Sequence, residues 1–191
     1  IIDQFTIRAN RRVWTWNGYE EKEITIIDSI KHYLTLLQTG MMAVNPQNGA
    51  IKVWVGGNDY GEFQYDNVSS ARQVGSTFKP ITYLMALESG LDPCTYFPNE
   101  LRTYKDYKDW TPGNAGGEYG GSYSMHGALA HSVNTVSVQL IMEIGPERVV
   151  QRAYDLGIES KLPKVPSIVL GTADVSMVEM MKVYSVFANG G

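Results

Sequence analysis

The sequence has little of what would mark a metalloprotein, a membrane span or a nucleic-acid binder. It has one cysteine, Cys94, so no internal disulfide can form, and three histidines, His32, His126 and His131, scattered over 191 residues. That excludes a Cys/His zinc site and leaves an all-His site no cluster to draw on. Apolar runs end after a few residues, too soon for a transmembrane helix. The chain carries 16 basic and 20 acidic side chains, a net charge of −4, with no basic block. Nucleic acid and an anionic membrane surface are therefore poor candidates for the main partner. There is no internal repeat and no low-complexity tract. What remains is 43% hydrophobic residues against 19% charged, an ordinary globular composition at the length of one domain. The chain opens at Ile1 and closes at Asn189-Gly190-Gly191, and it reads as a piece of something longer. The lack of a signal peptide then says nothing about compartment.

Residues 1–40 read as an appendage. Gln4–Ile7 and Val13–Trp16 fit short strands, split by the polar run Asn10-Arg11-Arg12. Asp28 or Ser29 can cap a helix through Ile30, Tyr33, Leu34 and Leu37 that stops at Gly40. The clearest β signal follows: Met41–Val44 and Ile51–Val55 flank the turn Asn45-Pro46-Gln47-Asn48-Gly49, a hairpin. Helices come next. One spans Thr77–Ser89, with Pro80 in its first turn and Gly90 at its stop. Another spans Thr135–Ile144 and ends at Gly145; Pro146 opens the next, which Gly157 closes. Ser176 and Glu179 form a capping box before Met180–Ala188. Between the helices lies a long loop, Asn99 to about Tyr123, with five glycines from Gly113 to Gly121 and the aromatic Trp110. Hairpin first and helices after argues an α+β fold, an antiparallel sheet packed by helices. Two convincing strands are too few for so many helices, so the missing strands are expected after Gly191.

The stretch Gly75-Ser76-Thr77-Phe78-Lys79-Pro80 carries the chemistry. Ser76 at a helix mouth and Lys79 three residues on share one side of the first turn. A serine hydroxyl becomes a nucleophile when a nearby base takes its proton, and a lysine is such a base once burial lowers its pKa. The helix N-terminus adds a positive field, and the Ser76 N–H can serve one side of an oxyanion hole. Taken alone the pair is weak: a Ser-x-x-Lys is expected by chance about once per chain of this size, and the plain alternative is a capping serine and a surface lysine. Ala130-His131-Ser132-Val133-Asn134-Thr135 falls between two predicted helices. There Ser132 can pass a proton and the Asn134 amide can hold Lys79 and a substrate carbonyl; alternatively either residue merely caps the helix from Thr135.

These residues together resemble the penicillin-binding proteins, and most closely the transpeptidase domain of the class A, bifunctional type. The resemblance is carried by Ser76-Thr77-Phe78-Lys79, by Ser132-Val133-Asn134-Thr135 and by flanking pieces in the same order. Those pieces are Val44–Ala50 with Val55-Gly56-Gly57, Trp110–Asn114, Pro166–Gly171 and Phe187–Gly191. It spans residues 41–191, the N-terminal part of the transpeptidase domain, and residues 1–40 resemble the segment that joins it to an upstream glycosyltransferase. The resemblance implies a penicillin-binding-protein/serine β-lactamase-like fold. Ser76 would attack the D-Ala-D-Ala carbonyl of a peptidoglycan stem peptide on a lipid II-derived glycan strand, and the acyl-enzyme would pass to an amine of a neighbouring stem. β-Lactams would acylate the same serine. Lys79 would be the general base, Ser132 the proton relay and Asn134 the orienting amide, with Ser132, Asn134, Trp110 and Thr135 against substrate. No metal or organic cofactor would be needed. The parent would sit on the outer face of the bacterial cytoplasmic membrane through an N-terminal anchor outside this chain.

One departure stands out. The family's third motif, Lys-Thr/Ser-Gly, does not occur in this sequence. In the family it follows Asn-Gly-Gly, so the chain is expected to stop before it, which agrees with the shortage of strands. A class A β-lactamase would need a glutamate about 36 residues past Ser132, and Pro163–Leu170 holds no acid. A β-lactam-sensing receptor and a non-catalytic scaffold of the same fold are the other readings. Of the lesser features, His131 beside Ser132 diverges from it on a turn, Asn67-Val68-Ser69 fits a glycosylation sequon, and Cys94 follows a helix stop.

Overall fold

The computed structural model describes residues 2–191. Ile2–Thr6 form a 3-10 turn, followed by β1 (Ala9–Thr15), β2 (Gly18–Ile24) and α1 (Ile26–Thr35). Then come β3 (Met41–Val44), β4 (Ile51–Val55), β5 (Arg72–Gln73), α2 (Lys79–Glu88) and β6 (Tyr96–Pro98). The chain continues through β7 (Ser122–Ser124), α3 (Met125–Ala130), α4 (Asn134–Ile144), α5 (Pro146–Asp155), β8 (Asp174–Val175) and α6 (Met177–Asn189).

Strands and helices mix as α+β content, but the strands form four separate antiparallel pairs among the described residues: β1–β2, β3–β4, β5–β8 and β6–β7. The expected strand at Gln4–Ile7 falls largely in the opening 3-10 turn. The polar run Asn10–Arg12 does not split a strand. It lies inside β1, opposite Glu23, Lys22 and Glu21 of β2. The Arg12 guanidinium lies 3.8 Å over the Tyr19 ring across the ladder, a cross-strand contact that apolar alternation does not announce. The helix after it is capped by Thr25, in a reciprocal box with Asp28, and ends at Thr35 rather than at Gly40. Trp14 packs edge-on against Phe63 at 5.6 Å between ring centroids, which ties this appendage to the loop after β4.

The hairpin β3–β4 forms as its turn residues require. Asn45 N–H bonds Ala50 O at 2.8 Å, and Gly49 takes φ +69°. Every residue of β4 is exposed. The core lies instead around α4, in which Thr135 to Ile141 are all buried. A helix buried on every side needs neighbours on every side, and α2, α3, α5, β6 and the 3-10 turn Pro166–Leu170 supply them. Leu140 and Ile141 are wholly buried, each contributing on the order of 2–3 kcal/mol. Two polar side chains that α4 carries inside are satisfied: Gln139 Nε2 donates to Pro98 O at 2.9 Å, and Ser137 meets the Tyr83 hydroxyl at 3.0 Å. The glycine and proline punctuation holds, with Pro146 opening α5 and Gly145 and Gly157 at φ +98° and +99°. The Ser176–Glu179 capping box opens α6.

Candidate functional site

Three chain segments converge on Lys79. The first is its own. Gly75–Phe78 make a 3-10 turn that runs into α2, with Pro80 inside the first turn of the helix, where its missing N–H costs nothing. The turn is held from behind. Arg72 and Gln73 pair with Val175 and Asp174, Val74 N–H bonds Ala173 O at 3.4 Å, and Gly75 N–H bonds Gly171 O at 3.1 Å. Gly171 approaches so closely, at φ +72°, that a Cβ there would lie 1.9 Å from Gly75 O. Only glycine fits. The Tyr184 hydroxyl of α6 donates to Thr77 O at 3.0 Å. Ser76 itself is exposed, and its hydroxyl makes no hydrogen bond among the described residues.

The second segment is the turn between α3 and α4. Ser132 sits at φ +55°, a left-handed conformation that non-glycine residues rarely adopt. That backbone turns both its carbonyl and its hydroxyl to Lys79, whose Nζ donates to Ser132 O at 2.6 Å, to Ser132 Oγ at 2.9 Å and to Asn134 Oδ1 at 2.7 Å. Lys79 is 1% exposed, and among the described residues no carboxylate lies within ion-pair distance of it. Burial without a counter-charge disfavours the ammonium. It lowers the Lys79 pKa from 10.5 to about 8. All three ammonium protons are taken by these three acceptors. Two of the acceptors, the carbonyl and the amide oxygen, can only accept. The Ser132 hydroxyl alone can reverse its bond and donate to a neutral Lys79 amine.

The third segment is the glycine-rich loop, and its asparagines went unassigned in the sequence. Neither Ser132 nor Asn134 caps α4. The N-cap is Val133, which has no side-chain acceptor. Asn114, twenty residues earlier, does the capping: its Oδ1 accepts from Asn134 N–H at 2.9 Å and Thr135 N–H at 3.2 Å. Its Nδ2 donates to Asn99 Oδ1 at 2.7 Å and Glu118 O at 2.8 Å. Asn134 Nδ2 donates to Gly113 O at 2.9 Å, so one end of the Asn134 amide holds the loop and the other holds Lys79. An apolar β-branched residue at a helix N-cap is the sequence signal that some distant side chain must supply the acceptor.

Ser76, Ser132 and Asn134 line one cavity of about 400 Å³, with Asn99, Asn114, Glu118 and His131 around its other sides. Thr135 does not line it. Its side chain is buried and donates to Asn99 Oδ1 at 2.8 Å. Trp110 does not line it either. It faces a second cavity of about 540 Å³ with Tyr107, Lys108 and Pro166, and packs against Tyr104 at 5.9 Å between ring centroids. The His131 ring stands by Tyr123 at 5.8 Å and forms no pair with Ser132. No group of three or more His, Cys, Asp or Glu among the described residues is placed to hold a metal ion.

The family model of the penicillin-binding protein transpeptidase domain covers residues 39–191. The chain belongs to that family. Among curated relatives of this transpeptidase family, penicillin-binding protein 2D of Bacillus subtilis is 35% identical over 160 residues, which cover 81% of this chain and 23% of the relative. Penicillin-binding protein 1A of Neisseria gonorrhoeae is 36% identical over 163 residues, 82% of this chain and 20% of the relative. The chain thus spans about a fifth to a quarter of the curated relatives it matches. The crystal structure of penicillin-binding protein 1A from Haemophilus influenzae superposes with a TM-score of 0.75 at 24% identity, over 92% of this chain and 26% of that one. PonA1 of Mycobacterium tuberculosis, solved in complex with penicillin V, superposes at 0.70 and 24% identity, over 85% of this chain and 47% of that one. At that identity the likeness establishes the fold, that of the penicillin-binding transpeptidases. No helix among the described residues is long and apolar enough to cross a membrane.

Proposed function

We propose that this chain is the serine-bearing part of a peptidoglycan D,D-transpeptidase and that Ser76 is its nucleophile. Ser76 Oγ attacks the carbonyl of the D-Ala-D-Ala bond. The Oγ–C bond forms, the C–N bond breaks, and the terminal D-Ala leaves with the serine proton. An amine of a second stem peptide then attacks the ester, forms the cross-link and returns a proton to Ser76. Ser132 carries protons between Ser76 and Lys79. The Ser76 N–H is one donor to the oxyanion, and the Asn134 amide orients both Lys79 and the substrate carbonyl. β-Lactams acylate Ser76 in the same way, which the penicillin V complex of PonA1 supports.

The observation that carries this reading is the state of Lys79: buried, without a counter-charge, and bonded to the Ser132 hydroxyl beside the cavity that Ser76 lines. A structural lysine would have a carboxylate; a base gains from lacking one. With a pKa of about 8, roughly a tenth of it is neutral at pH 7. The 3-10 turn Pro166–Leu170 holds no acid to activate a deacylating water, which favours a long-lived acyl-enzyme over hydrolysis. On this reading residues 1–40 join the domain to an upstream glycosyltransferase, and the third motif comes from polypeptide outside this chain. The whole protein works at the outer face of the cytoplasmic membrane. Intact mass after incubation with a penicillin is the test. The mass rises by one drug, and Ser76→Ala stays unmodified. An adduct that survives in Ser76→Ala overturns the Ser76 assignment. If both this chain and the full-length protein stay unmodified, the catalytic reading falls to a scaffold role.

A further inference from the structure

A transpeptidase must hold two substrates, and the acceptor brings a primary amine that is cationic at neutral pH. Of the residues lining the Ser76 cavity, Glu118 is the one carboxylate. We propose that Glu118 is the recognition site for the ammonium group of the acceptor strand; this rests on the function proposed above.

The argument is one of placement. Glu118 lies in the glycine-rich stretch that starts at Gly113, where an unsupported side chain would wander. Its backbone does not. Glu118 O accepts from Asn114 Nδ2 at 2.8 Å and from Asn99 Nδ2 at 3.3 Å, and the next turn closes with Gly120 N–H on Asn99 O at 2.7 Å. The same two asparagines fix the start of α4: Asn114 Oδ1 takes the N–H groups of Asn134 and Thr135, and Asn99 Oδ1 takes the Thr135 hydroxyl. Glu118 is thereby held in register with the Lys79–Ser132–Asn134 group across the cavity. The carboxylate meanwhile has no hydrogen-bond or ion-pair partner among the described residues. Lys79 cannot serve, since all three of its protons are committed. An exposed carboxylate without a cation, carried on a backbone held in place at the rim of the nucleophile's cavity, is a receptor for one.

The step balances simply. The ammonium docks on Glu118 and sheds one proton to solvent. The free amine attacks the ester carbon of acylated Ser76, the C–N bond forms, and the C–Oγ bond breaks. The second nitrogen proton returns to Ser76 Oγ through Ser132 and Lys79. Glu118 supplies binding, so its loss weakens capture of cationic acceptors and leaves uncharged ones alone.

The test is a competition in one vessel with the full-length protein, an N-acyl-D-alanyl thioester as donor, and two acceptors at about pH 8. One acceptor is a peptide with a free lysine ε-amine, cationic at that pH; the other is hydroxylamine, uncharged there. The ratio of the two products is read by mass spectrometry after subtracting the product formed in a parallel reaction with Ser76→Ala, so that partial misfolding of a variant cancels. In Glu118→Gln the ratio of lysine product to hydroxamate falls about three- to tenfold. Added 1 M salt lowers the wild-type ratio toward that of the variant, because the pair is screened. Equal ratios in wild type and Glu118→Gln overturn the assignment of Glu118 alone. The absence of any acyl-enzyme on wild-type protein overturns the proposed transpeptidase function, a separate and distinguishable failure.

Discussion

Ser76 and Ser132 line the same cavity in opposite surroundings. Ser76 sits on a turn braced mainly by backbone, by Gly171, Ala173 and the short β5–β8 pair with the Tyr184 hydroxyl on Thr77 O, and its own hydroxyl is left unbonded among the described residues. Ser132 has a strained backbone at φ +55°, and both its oxygens are tied to Lys79. The first segment fixes where an atom is and leaves the atom free to react. The second spends conformational energy, on the order of 1–2 kcal/mol, to aim two acceptors at one buried amine. That division suits a nucleophile and a relay. Reversing the roles would give a nucleophile already bonded and a relay with nothing to relay to.

The sharpest way to break the comparison is to delete each hydroxyl in turn. Ser76→Ala removes the penicillin adduct altogether. Ser132→Ala leaves Ser76 in place and slows acylation about 10²–10⁴-fold, the usual worth of positioned proton transfer. Equal losses from the two variants, seen by intact mass against time, would erase the distinction. The pH profile comes next. With the Lys79 pKa at about 8, the acylation rate rises with pH and levels off above about 8, and Lys79→Met flattens the curve. The sign for stability follows from the same group. Burial lowers the folded-state pKa below the unfolded value, so between about 8 and 10.5 the unfolded chain binds more protons and stability rises with pH. Urea midpoints across that window detect the rise in wild type and its loss in Lys79→Met. The brace behind Ser76 is tested by Gly171→Ala. Its Cβ meets Gly75 O at 1.9 Å, so the turn must move, with a cost of about 2–4 kcal/mol and a matching loss of acylation.

The two segments also differ in how readable they were. The Ser76 turn follows local rules: Ser and Lys three apart, Pro80 in the first turn, Gly90 at the stop. The sequence carries all of that in one window. The brace from Gly171 and the frame from Asn99 and Asn114 are long-range, and no periodicity encodes them. The expected caps on α4, Ser132 or Asn134, follow from proximity in sequence; the real acceptor is Asn114, twenty residues away. β2 was missed for a related reason. Gly18–Ile24 carries the charged run Glu20-Glu21-Lys22-Glu23 in place of apolar alternation, and the strand exists because β1 pairs with it. The antiparallel pairing expected with helices is present, as four short two-stranded ladders among the described residues. Trp110 and Thr135 were drawn in as motif neighbours. Thr135 turns inward to Asn99 and Trp110 faces another cavity, because adjacency along a chain does not set the direction of a side chain.

The smallest effect probes the joint between the two regions. Asn114 does two jobs at once, accepting at the start of α4 and donating to Asn99 and Glu118. Asn114→Ala loses both and costs about 1 kcal/mol, the usual value of an N-cap. Asn114→Asp separates them. A carboxylate still accepts from Asn134 and Thr135 and is favoured by the helix dipole, but it faces Asn99 Oδ1 and Glu118 O with no proton to give. The Asp variant should therefore keep the stability of α4, visible as slow amide exchange at Val136–Val138, while the loop that carries Glu118 loosens. If the wall at α4 and the loop are independent, acylation in Asn114→Asp matches wild type and only the choice of acceptor suffers. If they are one frame, acylation falls along with it, by about the factor that Asn114→Ala shows. The second outcome follows from the geometry, since Asn134 Nδ2 is itself bonded to Gly113 O on that loop, and a loop that shifts takes the Asn134 amide, and with it Lys79, out of line.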